Sequence, residues 1–94
     1  ANLTGARFIS ANCSNVVLFS AFLIGTVIYL SDFSGADLQE ANLTGADLEA
    51  VNFSGAILCE VKFYGAIMKD TNLHGADLRG VELSDVRIVA SNIK

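Results

Sequence analysis

The sequence predicts an all-β solenoid, a stack of five-residue units that share one continuous core. Three observations carry the prediction. From Leu3 to Ile93 every fifth residue is a large apolar side chain or a cysteine: Leu3, Phe8, Cys13, Leu18, Leu23, Ile28, Phe33, Leu38, Leu43, Leu48, Phe53, Leu58, Phe63, Met68, Leu73, Leu78, Leu83, Ile88 and Ile93. Two residues before each stands a second column that holds only Ala, Val, Thr or Ser. All eight glycines fall two residues after a large apolar position. A unit this short cannot bury a core alone, so the units must stack on one another.

The period dictates the backbone. A helix would turn each successive large residue by about 500°, that is about 140° further round, and smear the stripe over its whole surface. A plain strand would send alternate members of the column to opposite faces. Each unit therefore contains its own corner, preceded by a short extended piece that aims the large residue inward. The small residue two places earlier has the same inward orientation. The remaining three positions point outward or form the corner.

Segments such as Ala36-Asp37-Leu38, Ala41-Asn42-Leu43-Thr44-Gly45, Ala46-Asp47-Leu48 and Ala76-Asp77-Leu78 match the A-[DN]-L-x-x pattern, and with it the chain resembles the pentapeptide-repeat family. The resemblance covers all 94 residues, as eighteen complete quintets and a nineteenth that lacks its last residue. It implies a right-handed quadrilateral β-helix with four quintets per square coil, hence about 4.75 coils here, and the residues themselves offer no capping helix or polar closing segment, so no cap is expected. With coils spaced like neighbouring strands, the rod is about 23 Å long.

If residues twenty apart lie over one another, four inward ladders follow. They are Leu3/Leu23/Leu43/Phe63/Leu83, Phe8/Ile28/Leu48/Met68/Ile88, Cys13/Phe33/Phe53/Leu73/Ile93 and Leu18/Leu38/Leu58/Leu78. Seven of the eight glycines occupy odd-numbered quintets. Glycine enters positive φ without steric cost, as the third residue of a type II turn requires. Two alternating corner types are therefore expected, with the glycine corners facing each other across the square.

Ninety-four residues with 52% apolar content suit one domain over 1–94 with a core running its full length. The chain starts at a quintet boundary without methionine and stops one residue short of another, so a fragment of a longer protein is expected. No basic segment precedes an apolar stretch at the N-terminus, and a soluble, cytoplasmic protein is favoured. Cys13 is expected in the core and Cys59 as an outward surface thiol, with no disulfide between them. Four Asn-x-Ser/Thr triplets, at Asn2, Asn12, Asn42 and Asn52, arise from the repeat itself.

Function has to sit on the outward face. Val16 to Leu30 is apolar or nearly so, but shorter than the roughly twenty residues of a membrane helix. It also keeps the frame, with Ala21, Thr26 and Ser31 in the small column and Gly25 at a corner. Read as coil, it projects Val17, Phe19, Phe22, Ile24, Val27, Tyr29 and Leu30 outward across three adjacent sides. Ile57, Cys59, Tyr64 and Ile67 fall on the same three sides two coils further along. Apolar patches of this size usually mark a contact surface. The remaining side is polar, with columns Asn12/Asp32/Asn52/Asn72/Asn92 and Ser14/Ser34/Ser54/His74/Lys94. It is expected to face water, its Asn and Ser side chains hydrogen-bonding along the ladder.

The net charge is −4, and residues 31–60 carry six acidic groups and no basic one. That band argues against direct nucleic-acid binding. One histidine and two distant cysteines supply neither a metal site nor a catalytic pair, and the glycines form no phosphate-cradling loop. No enzyme activity, cofactor or metal is expected. The residues point to a non-catalytic interaction module that meets a protein partner or a second copy through the apolar band 16–30. Two alternatives remain. The family resemblance implies a DNA-mimicking, gyrase-interacting protein of the quinolone-resistance type, and the band itself permits membrane association.

Overall fold

The corner in every quintet is what closes the coil. In a computed structural model, which describes residues 2–83 and 85–89, the chain winds as a right-handed β-solenoid of about four turns. Five short strands stack on one side: β1 (Arg7–Ile9), β2 (Val27–Tyr29), β3 (Asp47–Glu49), β4 (Ile67–Lys69) and β5 (Arg87–Val89). They form a parallel sheet in the order β1-β2-β3-β4-β5, with Phe8 opposite Ile28, Ile28 opposite Leu48 and Leu48 opposite Met68. The twenty-residue register therefore holds throughout. We call this the second side.

The other sides carry single parallel bridges in the same register. The first side runs Asn2, Phe22, Asn42, Lys62, Glu82; the third Asn12, Asp32, Asn52, Asn72; the fourth Val17, Asp37, Ile57, Asp77. The overall extents of 28 × 25 × 20 Å make a prism nearly as wide as it is long.

Both inward columns fill the axis. Leu23, Phe33, Leu43, Leu48, Phe53, Leu58, Phe63 and Met68 are fully buried, with Ala36, Ala41, Ala46 and Ala66 between them. Phe33 stacks between Phe8 and Phe53, its ring centroid 5.7 Å from each. Leu3, Phe8, Cys13 and Leu18 are half-buried, and Leu83 and Ile88 are exposed, since each has a neighbouring rung on one side only. Ile93, Asn92 and Lys94, assigned above to a ladder and to the polar side, lie outside the described residues.

The corners differ from the expectation in two ways. Every described fifth position from Gly5 to Asp85 has positive φ, including Leu30 at 53°, Glu40 at 61° and Ala50 at 56°. The αL requirement is thus general. Glycine removes a cost of about 1–2 kcal/mol that other residues bear there. Gly25, Gly45 and Gly65 line one corner and Gly35, Gly55 and Gly75 the opposite one, as anticipated, but the conformations do not alternate with them.

What does distinguish the corners is hydrogen bonding. Those after the first, third and fourth sides close with an i+3→i bond, as in Ala46 N–H to Leu43 C=O (3.0 Å), Ala36 to Phe33 (3.1 Å) and Ala41 to Leu38 (2.9 Å). With positive φ confined to their third residue, these are type II turns. The corner after the second side is open, and at the Phe8 and Leu48 rungs a small-column hydroxyl from the next coil serves it, whereas at the Ile28 rung that place is taken by Val51. Ser31 Oγ accepts the Ala11 N–H (3.1 Å), and its single O–H is within donating distance of both Tyr29 C=O (3.1 Å) and Phe8 C=O (3.3 Å). Thr71 Oγ1 donates to Leu48 C=O (3.0 Å).

Candidate interaction surface

The second position of a quintet has a preferred occupant, and the reason is local. Asn or Asp there turns its Oδ1 onto the backbone N–H two residues on. Asn12 accepts from Ser14 (3.2 Å), Asp32 from Ser34 (2.9 Å), Asp37 from Gln39 (3.1 Å), Asn42 from Thr44 (3.1 Å), Asn52 from Ser54 (2.9 Å) and Asn72 from His74 (2.9 Å). These are Asx turns, in which a short side chain mimics a backbone turn. The polar third side is therefore held by bonds within each quintet, and those bonds take the place of the ladder anticipated along the column. The Ser34 hydroxyl and N–H together hold the Asp32 carboxyl below the usual carboxylate range.

Against that preference Val17, Phe22 and Ile57 are anomalous. They occupy the Asx position on the fourth and first sides, where their stacked neighbours Asp37 and Asn42 make the local bond. An apolar side chain forgoes it and stays in water: Val17 is 72% exposed and Phe22 52%. Phe19, Ile24, Tyr29 and Leu30 are exposed beside them, and Val27 is half-buried. Ile9, 55% exposed, pairs with Tyr29 across β1 and β2 and extends the patch by one rung. It was not assigned from sequence, although it lies twenty residues before Tyr29 in the same column.

Ile57, Tyr64 and Ile67 are exposed as well, but they form a separate group. Asp37 lies between Val17 and Ile57, Asn42 between Phe22 and Lys62, and Asp47 between Val27 and Ile67. One polar rung, acidic on two of its three sides, divides the apolar surface.

Cys59 corrects the expectation of a surface thiol. It stands at an outward position yet is only 8% exposed. Arg79, one coil further, reaches across it: Nη2 lies 3.8 Å from the Cys59 sulfur and 2.7 Å from Asp77 Oδ2, while Nε donates to Asp77 Oδ1 at 2.9 Å. Arg79, then the Cys59 contact, hold the Asp77 carboxyl far below its ordinary value. Burial, then the nearby Asp32 charge, push the Cys13 thiol up.

The lower half of the first side contains a groove of about 480 Å³, lined by Thr44, Glu60, Val61, Lys62, Phe63, Tyr64, Gly80 and Glu82. Gly80 makes room at its edge for the Glu60 side chain, whose Cγ a Cβ there would meet at 2.8 Å. The visible signal in the sequence is that Gly80 alone breaks the odd-quintet pattern of the glycines. Among the described residues no group of three or more His, Cys, Asp or Glu is placed to hold a metal ion, and no helix is long and apolar enough to cross a membrane.

A family model described as pentapeptide repeats matches the chain in eight copies over residues 1–35, 31–70 and 46–85. The chain is similar in structure to a pentapeptide-repeat protein of the cyanobacterium Cyanothece 51142, with a TM-score of 0.79 at 24% identity over 97% of this chain and 82% of that one. It is similar to a pentapeptide-repeat protein of the Arabidopsis thaliana thylakoid lumen, with a TM-score of 0.81 at 25% identity over 99% of this chain and 61% of that one. It is also similar to one involved in heterocyst differentiation regulation from Nostoc sp. strain PCC 7120, with a TM-score of 0.62 at 28% identity over 93% of this chain and 46% of that one. The chain thus spans less than two thirds of the last two proteins. No curated protein matches it.

Proposed function

The chain belongs to the pentapeptide-repeat family, and from that premise we propose that it acts as a non-catalytic interaction module, presenting its exposed apolar residues to a protein partner or a second copy. One observation carries the reading. At Val17 and Phe22 the coil gives up an Asx bond that neighbouring rungs make, and gains only apolar surface left in water. Such a substitution does nothing for the fold in isolation, whereas contact with another molecule would recover the transfer free energy of those side chains.

The distribution of charge does not favour a DNA mimic. Asp37, Asp47 and Glu49 form one acidic rung between two apolar groups, and on the coils that follow Lys62, Lys69, Arg79 and Arg87 are interspersed with Glu60, Asp70, Asp77, Glu82 and Asp85, so the negative charge is not continuous.

The test is retention of partners by immobilised protein from an extract of the source organism. The native chain is compared with a Val17→Asp, Phe22→Asn, Tyr29→Glu variant and with His74→Ala on the third side. The reading expects a protein bound by the native chain and by His74→Ala and lost from the triple variant at equal melting temperature. Identical retained sets for all three would overturn it.

A further inference from the structure

We propose that the occupant is a second copy of this chain, packed antiparallel on the first side about a two-fold axis through Asn42. This rests on the interaction reading above and commits it to one face. In a closed dimer the same patch serves both copies, so whatever residue i meets in j, j meets in i. An axis along the strand direction at the middle rung satisfies that condition on the first side. The unbroken register Asn2, Phe22, Asn42, Lys62, Glu82 places Phe22 opposite Lys62 of the second copy, and Asn2 opposite its Glu82. Ile24, one residue pair along, comes opposite Tyr64, and Asn42 opposite itself.

Every one of these pairings is favourable. An ammonium over a phenyl ring is attracted by its quadrupole, Ile24 meets an aromatic face, and amides meet a carboxylate and one another. Shape agrees with chemistry. Phe22 protrudes from the upper half of the side, and the groove of about 480 Å³ around Val61, Lys62 and Tyr64 occupies the matching half. Two stacked faces about 10 Å apart leave room for these side chains to interdigitate.

The same operation fails on the other sides. On the second it sets Asp47 and Glu49 against their own copies and Arg7 against Arg87. On the fourth, with its axis midway between rungs, it buries Asp37 against Ile57 and Asp77 against Val17. Among its described residues the third side shows no large apolar side chain outward. On the first side self-complementarity also accounts for the polar middle rung: Asn42 lies on the axis, and Phe22 and Ile24 meet Lys62 and Tyr64 across it.

Extents of 28 × 25 × 20 Å give a side of roughly 500–700 Å² per partner, below the approximately 800 Å² of a standard interface. The dimer is therefore weak and concentration-dependent. Sedimentation equilibrium of the purified chain between about 10 μM and about 1 mM covers the micromolar range that such interfaces occupy. The expected result is a monomer–dimer equilibrium. Phe22→Asn, which restores the Asx geometry of Asn42, and Lys62→Glu, at an exposed position, each weaken it by about tenfold or more, with far-ultraviolet dichroism unchanged. Tyr29→Glu on the second side leaves it unaltered. A native chain that stays monomeric throughout overturns the proposal, as does association that survives both first-side variants or that Tyr29→Glu abolishes. If the native chain is monomeric yet retains a partner through the apolar band, the second-copy assignment fails alone. Loss of both removes the broader reading too.

Discussion

Thr26 and Thr71 occupy the same column, are both buried, and should respond in opposite directions to the same substitution. Thr26 is 0% exposed, and its Oγ1 has no hydrogen-bonding partner among the described residues. It follows a closed corner, where Leu23 C=O is taken by the Thr26 N–H itself (3.3 Å) and Leu3 C=O by the Ala6 N–H (2.9 Å). Thr71 follows the open corner, and its Oγ1 bonds Leu48 C=O at 3.0 Å. An unsatisfied buried hydroxyl costs about 1–3 kcal/mol, so Thr26→Val, which keeps the shape and removes the hydroxyl, should stabilise by about 1–2 kcal/mol. For a domain of this size each kcal/mol moves the melting temperature by roughly 4–8 °C. Thr71→Val removes the hydroxyl bond to Leu48 C=O, a carbonyl that keeps its place in the parallel ladder of β3 and β4, and should destabilise by about 0.5–1.5 kcal/mol. Urea and thermal unfolding of the two variants measure both. Shifts of the same sign, or a loss of stability in Thr26→Val, would refute the account of the two corner types.

Leu43 is fully buried at mid-stack, and an ionised carboxylate there adds several kcal/mol of desolvation to about 1.5–3 kcal/mol of lost burial. Leu43→Asp should be unfolded at 25 °C by far-ultraviolet dichroism while Leu43→Met, costing less than about 1.5 kcal/mol, stays folded; a folded Leu43→Asp would contradict a continuous axial core. Asp32 and Asp77 are both held below the ordinary carboxylate range. Their contribution is present above the unfolded-state value near 3.8 and is lost as pH falls through the lower native values. Stability measured by urea unfolding should therefore decline below about pH 4, and Asp77→Asn should flatten that decline; an unchanged slope would deny Asp77 its part.

The inward half of the molecule was open to reading. Leu23, Leu43 and Phe63 recur at a spacing that only a cornered coil can bury, so the axis follows from the letters. The corners were harder. Leu30 and Glu40 enter αL as Gly25 and Gly35 do, because coil closure imposes that conformation whatever residue stands there, and glycine marks only the corners where the cost is relieved. The roles of Ser31 and Thr71 depend on which corner lacks its turn bond, a property of backbone geometry that composition does not carry. Cys59 is covered by a long side chain from the next coil, and no periodicity announces where Arg79 will fold. The division of the apolar band was within reach, since counting twenty residues puts Asp37 between Val17 and Ile57 and Asp47 between Val27 and Ile67.

The Asx bond begins and ends inside one quintet, and this uncouples what the coil displays from what keeps it upright. Exchanging Asn for Phe at such a position forfeits one local contact and disturbs no neighbour, so recognition can be rewritten a rung at a time without compensating changes at the axis. Sequence drift in such a lineage should then outrun drift in shape, and specificity should be inherited poorly even where the architecture is inherited almost intact.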